Sequence, residues 1–186
     1  KPKVSIESGG GTPTENIESA IQLLEDSLAH ELITRNMQAT PKFLEQIILV
    51  LLGKMGYGNG SDSLEHLGGS GDEGLDGVIN QDRLGLQKIY IQAKRYKSGN
   101  NIGRPEVQKF MGALQGQGAS GGVFITTSEF TREAEEYVAK NMTPRIILVD
   151  GFELGSLLVK HEVGVVALRS YKVLEIDENL FDESEK

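Results

Sequence analysis

Residues 75–96 read LDGVINQDRLGLQKIYIQAKRY, and this stretch decides the fold that we predict for the chain. Leu75 to Asn80 has the composition of a short β-strand, Gln81 to Gly85 is typical of a turn, and Leu86 to Tyr96 has the pattern of a longer strand. Two strands joined by a short connection favour an antiparallel hairpin. The sequence therefore predicts a β-hairpin at the centre of the fold.

Three polar residues meet in this predicted hairpin. Gln92 and Lys94 point to the same face of their strand because side chains alternate between faces, and Asp76 lies opposite this region. A carboxylate and an amide oxygen are hard ligands that suit Mg²⁺, while an ammonium group suits a phosphate. The pattern predicts a site for a divalent cation and a phosphate.

Glu45 is a further candidate for this site. It lies in a strongly apolar helix that begins at Thr40-Pro41, and it shares a side of that helix with Leu49 and Leu52. A carboxylate on an apolar face needs a partner such as a metal ion or a lysine. Helical periodicity alone leaves open a second interpretation, in which Glu45 sits at the helix edge and reaches water.

The order of the other elements indicates the fold class. A helix begins after Thr12, with Glu15 completing a capping box, and carries an apolar stripe at Ile17, Ile21, Leu24 and Leu28. After the hairpin we predict a helix from about Pro105, a strand at 122–127, a helix to about Lys140, a strand at 145–149, a helix at 151–161 and an extended segment at 163–176. This order predicts an α/β fold with a mixed β-sheet flanked by helices.

A glycine-rich loop at about 58–74 contains Gly69, Gly71 and Gly74 in the spacing G-x-G-x-x-G. A dinucleotide-binding loop follows a strand and opens a helix, whereas this loop follows a helix and precedes a strand. We interpret these glycines as allowing the backbone of this loop, which precedes Asp76, to come close to a neighbouring segment or a ligand.

Composition excludes several classes of protein. The chain has no cysteine, which excludes disulfides and thiolate metal sites, and its three histidines are not spaced as a zinc site. No apolar run is long enough to span a membrane, and we expect a cytoplasmic protein. The net charge is −8, yet the stretch from Arg83 to Lys109 contains seven basic residues and only one acidic residue. This locally basic stretch is able to face phosphates.

Several separated blocks resemble one known family: residues 68–96, then GRPEVQKFMGALQGQGASGGVFITTSEFTREA from Gly103, and RIILVDGFELGSLLVKHEVGV from Arg145. Together they resemble the catalytic domain of Mrr-type restriction endonucleases over about residues 41–169. The resemblance implies a restriction-endonuclease-like fold of the PD-(D/E)-x-K superfamily. The usual acidic residue of the (D/E)-x-K element is replaced here by Gln92.

The resemblance also implies roles for individual residues. Asp76 matches the metal-binding aspartate, Gln92 the substituted position, Lys94 the catalytic lysine and Glu45 the acidic residue of the first core helix. Asp76, Gln92 and Glu45 are the implied ligands of Mg²⁺, with help from Asp72 as an option. Candidate DNA contacts are Arg95, Tyr96, Lys97, Arg104, Thr126 and Thr127.

The implied function is hydrolysis of phosphodiester bonds in double-stranded DNA, directed at methylated DNA. We expect residues 1–40 to be a linker and connecting helix, 41–176 the catalytic domain and 177–186 an acidic tail, with an N-terminal DNA-recognition domain absent from this chain. We also expect a homo-oligomer, although the stripe of the first helix equally fits packing on its own domain. Two alternatives stay open: a nuclease for branched or damaged DNA, and a catalytically silent DNA-binding fold.

Overall fold

The computed structural model describes residues 11–58, 64–66 (backbone only), 75–82, 84, 86–141 and 143–181. The predicted glycine motif, Asp72, the first ten residues and the last five lie outside these ranges. Among the described residues, no helix combines the length and apolarity needed to cross a membrane.

Two helices open the described chain. Helix α1 (Pro13–Gln38) begins with the predicted capping box, in which the Thr12 hydroxyl accepts from the Glu15 amide and the Glu15 carboxylate accepts from the Thr12 amide. Helix α2 (Pro41–Lys54) is capped by the Thr40 hydroxyl, which accepts a hydrogen bond from the Phe43 amide. Both predicted starts are confirmed.

A five-stranded sheet forms the centre of the fold. Its strands are β1 (Leu64–His66), β2 (Gly77–Asn80), β3 (Lys88–Lys94), β4 (Gly121–Thr126) and β5 (Arg145–Val149), in that spatial order. β1, β2 and β3 pair antiparallel, whereas β3, β4 and β5 pair parallel. The predicted hairpin and the predicted mixed sheet are therefore confirmed.

Helices cover both faces of the sheet. Helices α3 (Arg104–Gly116) and α4 (Arg132–Lys140) pack on the face that carries Tyr90, Phe124 and Ile146. Helices α2 and α5 (Gly151–Lys160) pack on the face that carries Ile91 and Ile125, with α1 lying against α5. Apolar residues cover both faces of β3 and β4, as expected for strands at the centre of a layered α/β fold.

Three features differ from the predictions. Strand β1 lies inside the predicted loop 58–74, where three residues at a sheet edge gave no readable strand pattern. Residues 163–176 form no strand: Val166 and Leu168 are 80% and 89% exposed, and no strand among the described residues pairs with them. A short helix α6 (Glu178–Phe181) was not predicted. A segment with alternating apolar residues forms a strand only where it can pair with the edge strand of a sheet.

Gly155 sets the contact between α5 and α1. A Cβ atom added at Gly155 would lie 2.9 Å from the Ala29 carbonyl oxygen and 3.1 Å from the Ala29 Cβ. Both helices are therefore in backbone contact at this point, which only a residue without a side chain permits.

We expect Gly155→Ala to destabilise the protein by about 1–3 kcal/mol, because the new methyl group forces α1 and α5 apart. Gly112→Ala is the matched control, since this glycine is also helical and its added Cβ would meet nothing within 4 Å. The control should stabilise the fold by about 0.5–1 kcal/mol through helix propensity. Urea denaturation of both variants checks this, and equal effects at the two positions would contradict it.

Candidate active site

The hairpin brings Asp76 to the strand that carries Gln92 and Lys94. Gly77 pairs with Ile91 in the ladder, so Asp76 extends that ladder beside Gln92. The Asp76 amide donates to the Ile91 carbonyl (2.9 Å), and the Ala93 amide donates to Asp76 Oδ2 (2.7 Å). The carboxylate is thus held at the backbone between Gln92 and Lys94, and the predicted position of Asp76 opposite this part of β3 is confirmed.

The side chains of Gln92 and Lys94 share one face of β3. Tyr90 belongs to the apolar cluster under α3, whereas Ile91 belongs to the cluster under α2. Alternation along the strand then places Gln92 and Lys94 on the face of Tyr90. Gln92 is 8% exposed and Lys94 is half-buried. The Gln92 amide is therefore largely withdrawn from water, into surroundings where electrostatic interactions are stronger than in bulk solvent.

Strand β4 holds the backbone of Lys94 from the other side. Thr126 is the register partner of Lys94 and its hydroxyl donates to the Lys94 carbonyl (2.9 Å), as does the Thr127 amide (3.2 Å). The Thr127 hydroxyl accepts from the Tyr96 amide (3.0 Å) and donates to the Tyr96 carbonyl (2.8 Å). Both threonines are buried. This geometry favours a positioning role for Thr126 and Thr127 over the predicted contact with DNA.

Glu45 lies in a different layer of the fold, on helix α2. Helix α2 packs on the face of Ile91, opposite to that of Gln92 and Lys94. Arg95, the residue after Lys94, donates from Nη1 to the carbonyl oxygens of Met37 and Ala39 at the α1–α2 corner. Glu45 lies in the second turn after this corner and is half-buried. Glu45 therefore lies on a helix that covers the face of the sheet opposite to Gln92 and Lys94.

The remaining DNA-contact candidates are Tyr96, Lys97 and Arg104. The Tyr96 hydroxyl donates to Glu106 Oε1 (3.3 Å); burial raises the pKa of Tyr96, and the negative charge of Glu106 raises this pKa further. Tyr96 therefore stays neutral at physiological pH. The Arg104 guanidinium lies over the Tyr137 ring at 5.2 Å and is exposed, as is Lys97.

The donor set fits a hard divalent cation. Asp76 supplies a fixed carboxylate, Gln92 a neutral amide oxygen and Glu45 a second carboxylate from the helix layer. No group of three or more His, Cys, Asp or Glu side chains suited to a metal occurs in the described part of the chain. The protein thus offers fewer charged ligands than a site with a carboxylate at position 92 would.

Sequence reasoning missed one feature of this region, the bond from Arg95 to the α1–α2 corner. The accepting groups are backbone carbonyls 56 and 58 residues away in the chain. A backbone acceptor leaves no trace in the residue types, so only the fold could reveal this contact.

Comparisons with known proteins identify the family of this chain. Residues 36–158 match the family described as restriction endonuclease. The chain is 43% identical over 171 residues to the type IV methyl-directed restriction enzyme EcoKMrr of Escherichia coli K12, covering 92% of this chain and 55% of that protein. The chain therefore spans about half the length of this relative.

Solved structures show the same fold. The DNA modification-dependent restriction endonuclease AspBHI superposes with a TM-score of 0.58 at 23% identity, over 76% of this chain and 36% of that one. The protein of unknown function AF1548 superposes with a TM-score of 0.51 at 18% identity, over 77% of this chain and 76% of that one. Because the family match covers more than half of the chain, we conclude that this chain belongs to the restriction endonuclease family.

Proposed function

We propose that the chain is a Mg²⁺-dependent endonuclease module whose cleavage site comprises Asp76, Gln92, Lys94 and Glu45. One observation carries this proposal: the Ala93 amide holds the Asp76 carboxylate between Gln92 and Lys94 at the open end of the hairpin. A fixed carboxylate, a neutral oxygen and an ammonium group at one sheet end form the arrangement needed to bind a cation and a phosphate together.

The reaction is hydrolysis of a phosphodiester bond. A water oxygen forms a bond to phosphorus, the bond between phosphorus and the 3′ oxygen breaks, and the water loses a proton while the 3′ oxygen gains one. The products are a 5′-phosphate and a 3′-hydroxyl. A bound Mg²⁺ would supply positive charge beside the phosphate and lower the pKa of a neighbouring water.

Each protein group has a separate task in this proposal. Asp76 and Glu45 supply negative charge for the cation, and Gln92 supplies a neutral oxygen. Lys94 orients the attacking water and stabilises the charge that develops on the phosphate oxygens. The hydrogen bonds from Thr126 and Thr127 to the Lys94 carbonyl fix the backbone from which this ammonium group extends.

DNA is proposed to lie along the basic end of β3. Lys97 and Arg104 are exposed, and the Tyr96 hydroxyl is bonded to Glu106 in the first turn of the helix that Arg104 begins. Double-stranded methylated DNA is the proposed substrate, because the 43% identical relative is described as methyl-directed. We place the protein in the cytoplasm, where such DNA would be met.

A catalytically silent DNA-binding fold is the second candidate. The observation that favours it is Gln92, a neutral residue where the resemblance leads us to expect an acidic one. This candidate predicts DNA binding without metal-dependent cleavage.

A second copy of the chain is the proposed partner of α1. Ile21 and Leu24 are 43% and 66% exposed, so the predicted stripe does not pack on its own domain at these positions. One site hydrolyses one phosphodiester bond, and the two strands of a duplex are related by two-fold symmetry. A symmetric dimer would present one site to each strand.

We expect the wild-type chain to nick supercoiled plasmid in Mg²⁺ and Lys94→Ala to nick about 10²- to 10⁴-fold more slowly, since it removes charge stabilisation and water positioning. Asp76→Asn should lose activity for a different reason, namely weaker cation binding. Rates on methylated, unmethylated and branched substrates identify the preferred DNA. Cleavage that persists in Lys94→Ala contradicts the site, and DNA binding by wild type without cleavage in Mg²⁺ or Mn²⁺ supports the silent fold instead.

Gln92→Glu should lower the Mg²⁺ concentration needed for half-maximal activity by about tenfold, because it adds a charged ligand beside Asp76. In EDTA the same variant should be less stable than wild type, since two carboxylates then face each other at a largely buried site. Thermal denaturation with and without Mn²⁺ measures this. Gln87→Glu, at an exposed position before β3, is the control and should show neither effect. An unchanged metal requirement in Gln92→Glu would remove Gln92 from the site.

We expect Ile21→Glu with Leu24→Glu to shift the chain from dimer to monomer in sedimentation, because the change places charges on the exposed stripe. Leu84→Glu, at an exposed apolar residue in the hairpin turn, is the control. A wild-type chain that sediments as a monomer at every concentration tested would refute self-association through α1.

A further inference from the structure

We propose that Arg95 is a positioning residue that fastens the α1–α2 corner to the end of β3 and so fixes helix α2, which carries Glu45, relative to the strand that carries Lys94. This inference rests on the proposed function, because it assigns a task within the same cleavage site. It differs from the prediction that Arg95 contacts DNA phosphates.

The contact satisfies the carboxyl end of α1. Arg95 Nη1 donates to the Met37 carbonyl (2.9 Å) and to the Ala39 carbonyl. The last carbonyl groups of a helix have no partner within the helix, and α1 ends at Gln38. A cation is also favoured by the partial negative charge at this end. The guanidinium therefore has two specific acceptors and a favourable field.

The contact joins two parts of the proposed site. On one side, Arg95 follows Lys94 directly, and the Lys94 carbonyl is bonded to Thr126. On the other side, Ala39 precedes Thr40, which caps α2 through the Phe43 amide. Glu45 follows within two turns of this cap. A shift of the corner therefore shifts Glu45 relative to the strand that carries Lys94.

The rest of α2 is held by apolar packing, but its beginning is less covered. Leu44 and Ile48 are buried against the sheet, whereas Pro41, Lys42 and Phe43 are exposed. The bond from Arg95 is thus a polar restraint on the exposed start of the helix, where local opening is easiest.

Lys97 provides a matched comparison. It lies two residues after Arg95 at the same strand end and is exposed. A residue that contacts phosphate contributes to DNA affinity and to its salt dependence, and its removal lowers the slope of log affinity against log salt by about one. A positioning residue instead changes turnover and the requirement for metal.

The first measurement is hydrogen exchange on the full chain, without DNA, for wild type, Arg95→Ala, Arg95→Lys and Lys97→Ala. We expect amides of residues 39–45 to exchange about tenfold faster in Arg95→Ala, as for the loss of one hydrogen bond. Arg95→Lys should restore protection in part, because it keeps the charge without the planar group. Lys97→Ala should match wild type.

The second measurement separates the two roles by Mn²⁺ calorimetry and by plasmid cleavage. Arg95→Ala should bind Mn²⁺ more weakly and cleave with a kcat reduced by about tenfold or more, with KM for DNA and the salt slope unchanged. Lys97→Ala should raise KM and lower the salt slope while kcat stays the same.

Two results would overturn this inference. One is a raised KM and a reduced salt slope in Arg95→Ala with wild-type exchange, which would make Arg95 a phosphate contact. The other is faster exchange with unchanged Mn²⁺ affinity and kcat, which would make the contact structural only. If wild type does not cleave DNA, the proposed function fails, whereas exchange and Mn²⁺ affinity still test the link between Arg95 and the site.

Discussion

The hydrogen bond from the Ala93 amide to the Asp76 carboxylate is the interaction on which the rest of the site depends. It joins β2 and β3 just beyond their regular ladder and aims the carboxylate at the backbone between Gln92 and Lys94. A one-residue slip of this hairpin would turn Gln92 and Lys94 to the opposite face. Apolar packing opposes such a slip, because Tyr90 and Ile91 fill different cores on the two faces. The register that buries the core is therefore the register that assembles the site.

Lys94 is held from both sides of its strand. The Ala93 amide, just before Lys94, donates to the Asp76 carboxylate. The Thr126 hydroxyl and the Thr127 amide both donate to the Lys94 carbonyl. The backbone is therefore hydrogen-bonded on both sides of Lys94. Fixed donors and charges in a partly dry site need little rearrangement when charge develops on a phosphate. Glu45 arrives from a separate helix layer and is tied to this strand end through Arg95. The proposed site is thus a hydrogen-bonded hairpin end with one ligand supplied by a helix that is attached at the α1–α2 corner.

The sequence predicted the parts of the fold that rest on local patterns. The capping residues Thr12 and Thr40, the hairpin at 75–96 and the buried strand β4 carry strong local signals, and the structure contains them. Contacts that depend on the fold were inaccessible. The apolar pattern at 163–176 has no partner strand, and Arg95 looked like a phosphate ligand because its acceptors are distant backbone atoms. The alternation of side chains along a strand was enough to predict that Gln92 and Lys94 share one face. The position of Glu45 on the other side of the sheet follows only from the packing of α2.

The central claim is that a divalent cation binds where Asp76 meets Gln92, and localised backbone cleavage tests it most directly. Fe²⁺ replaces Mg²⁺ at such oxygen sites and, with ascorbate and peroxide, produces hydroxyl radicals that cut the nearest peptide bonds. We predict fragments that end near Asp76 and near Gln92 to Lys94, with a weaker cut near Glu45. Excess Mg²⁺ should suppress these cuts, and Asp76→Asn should abolish them. Cuts confined to other segments, or none above the level in EDTA, would contradict the account.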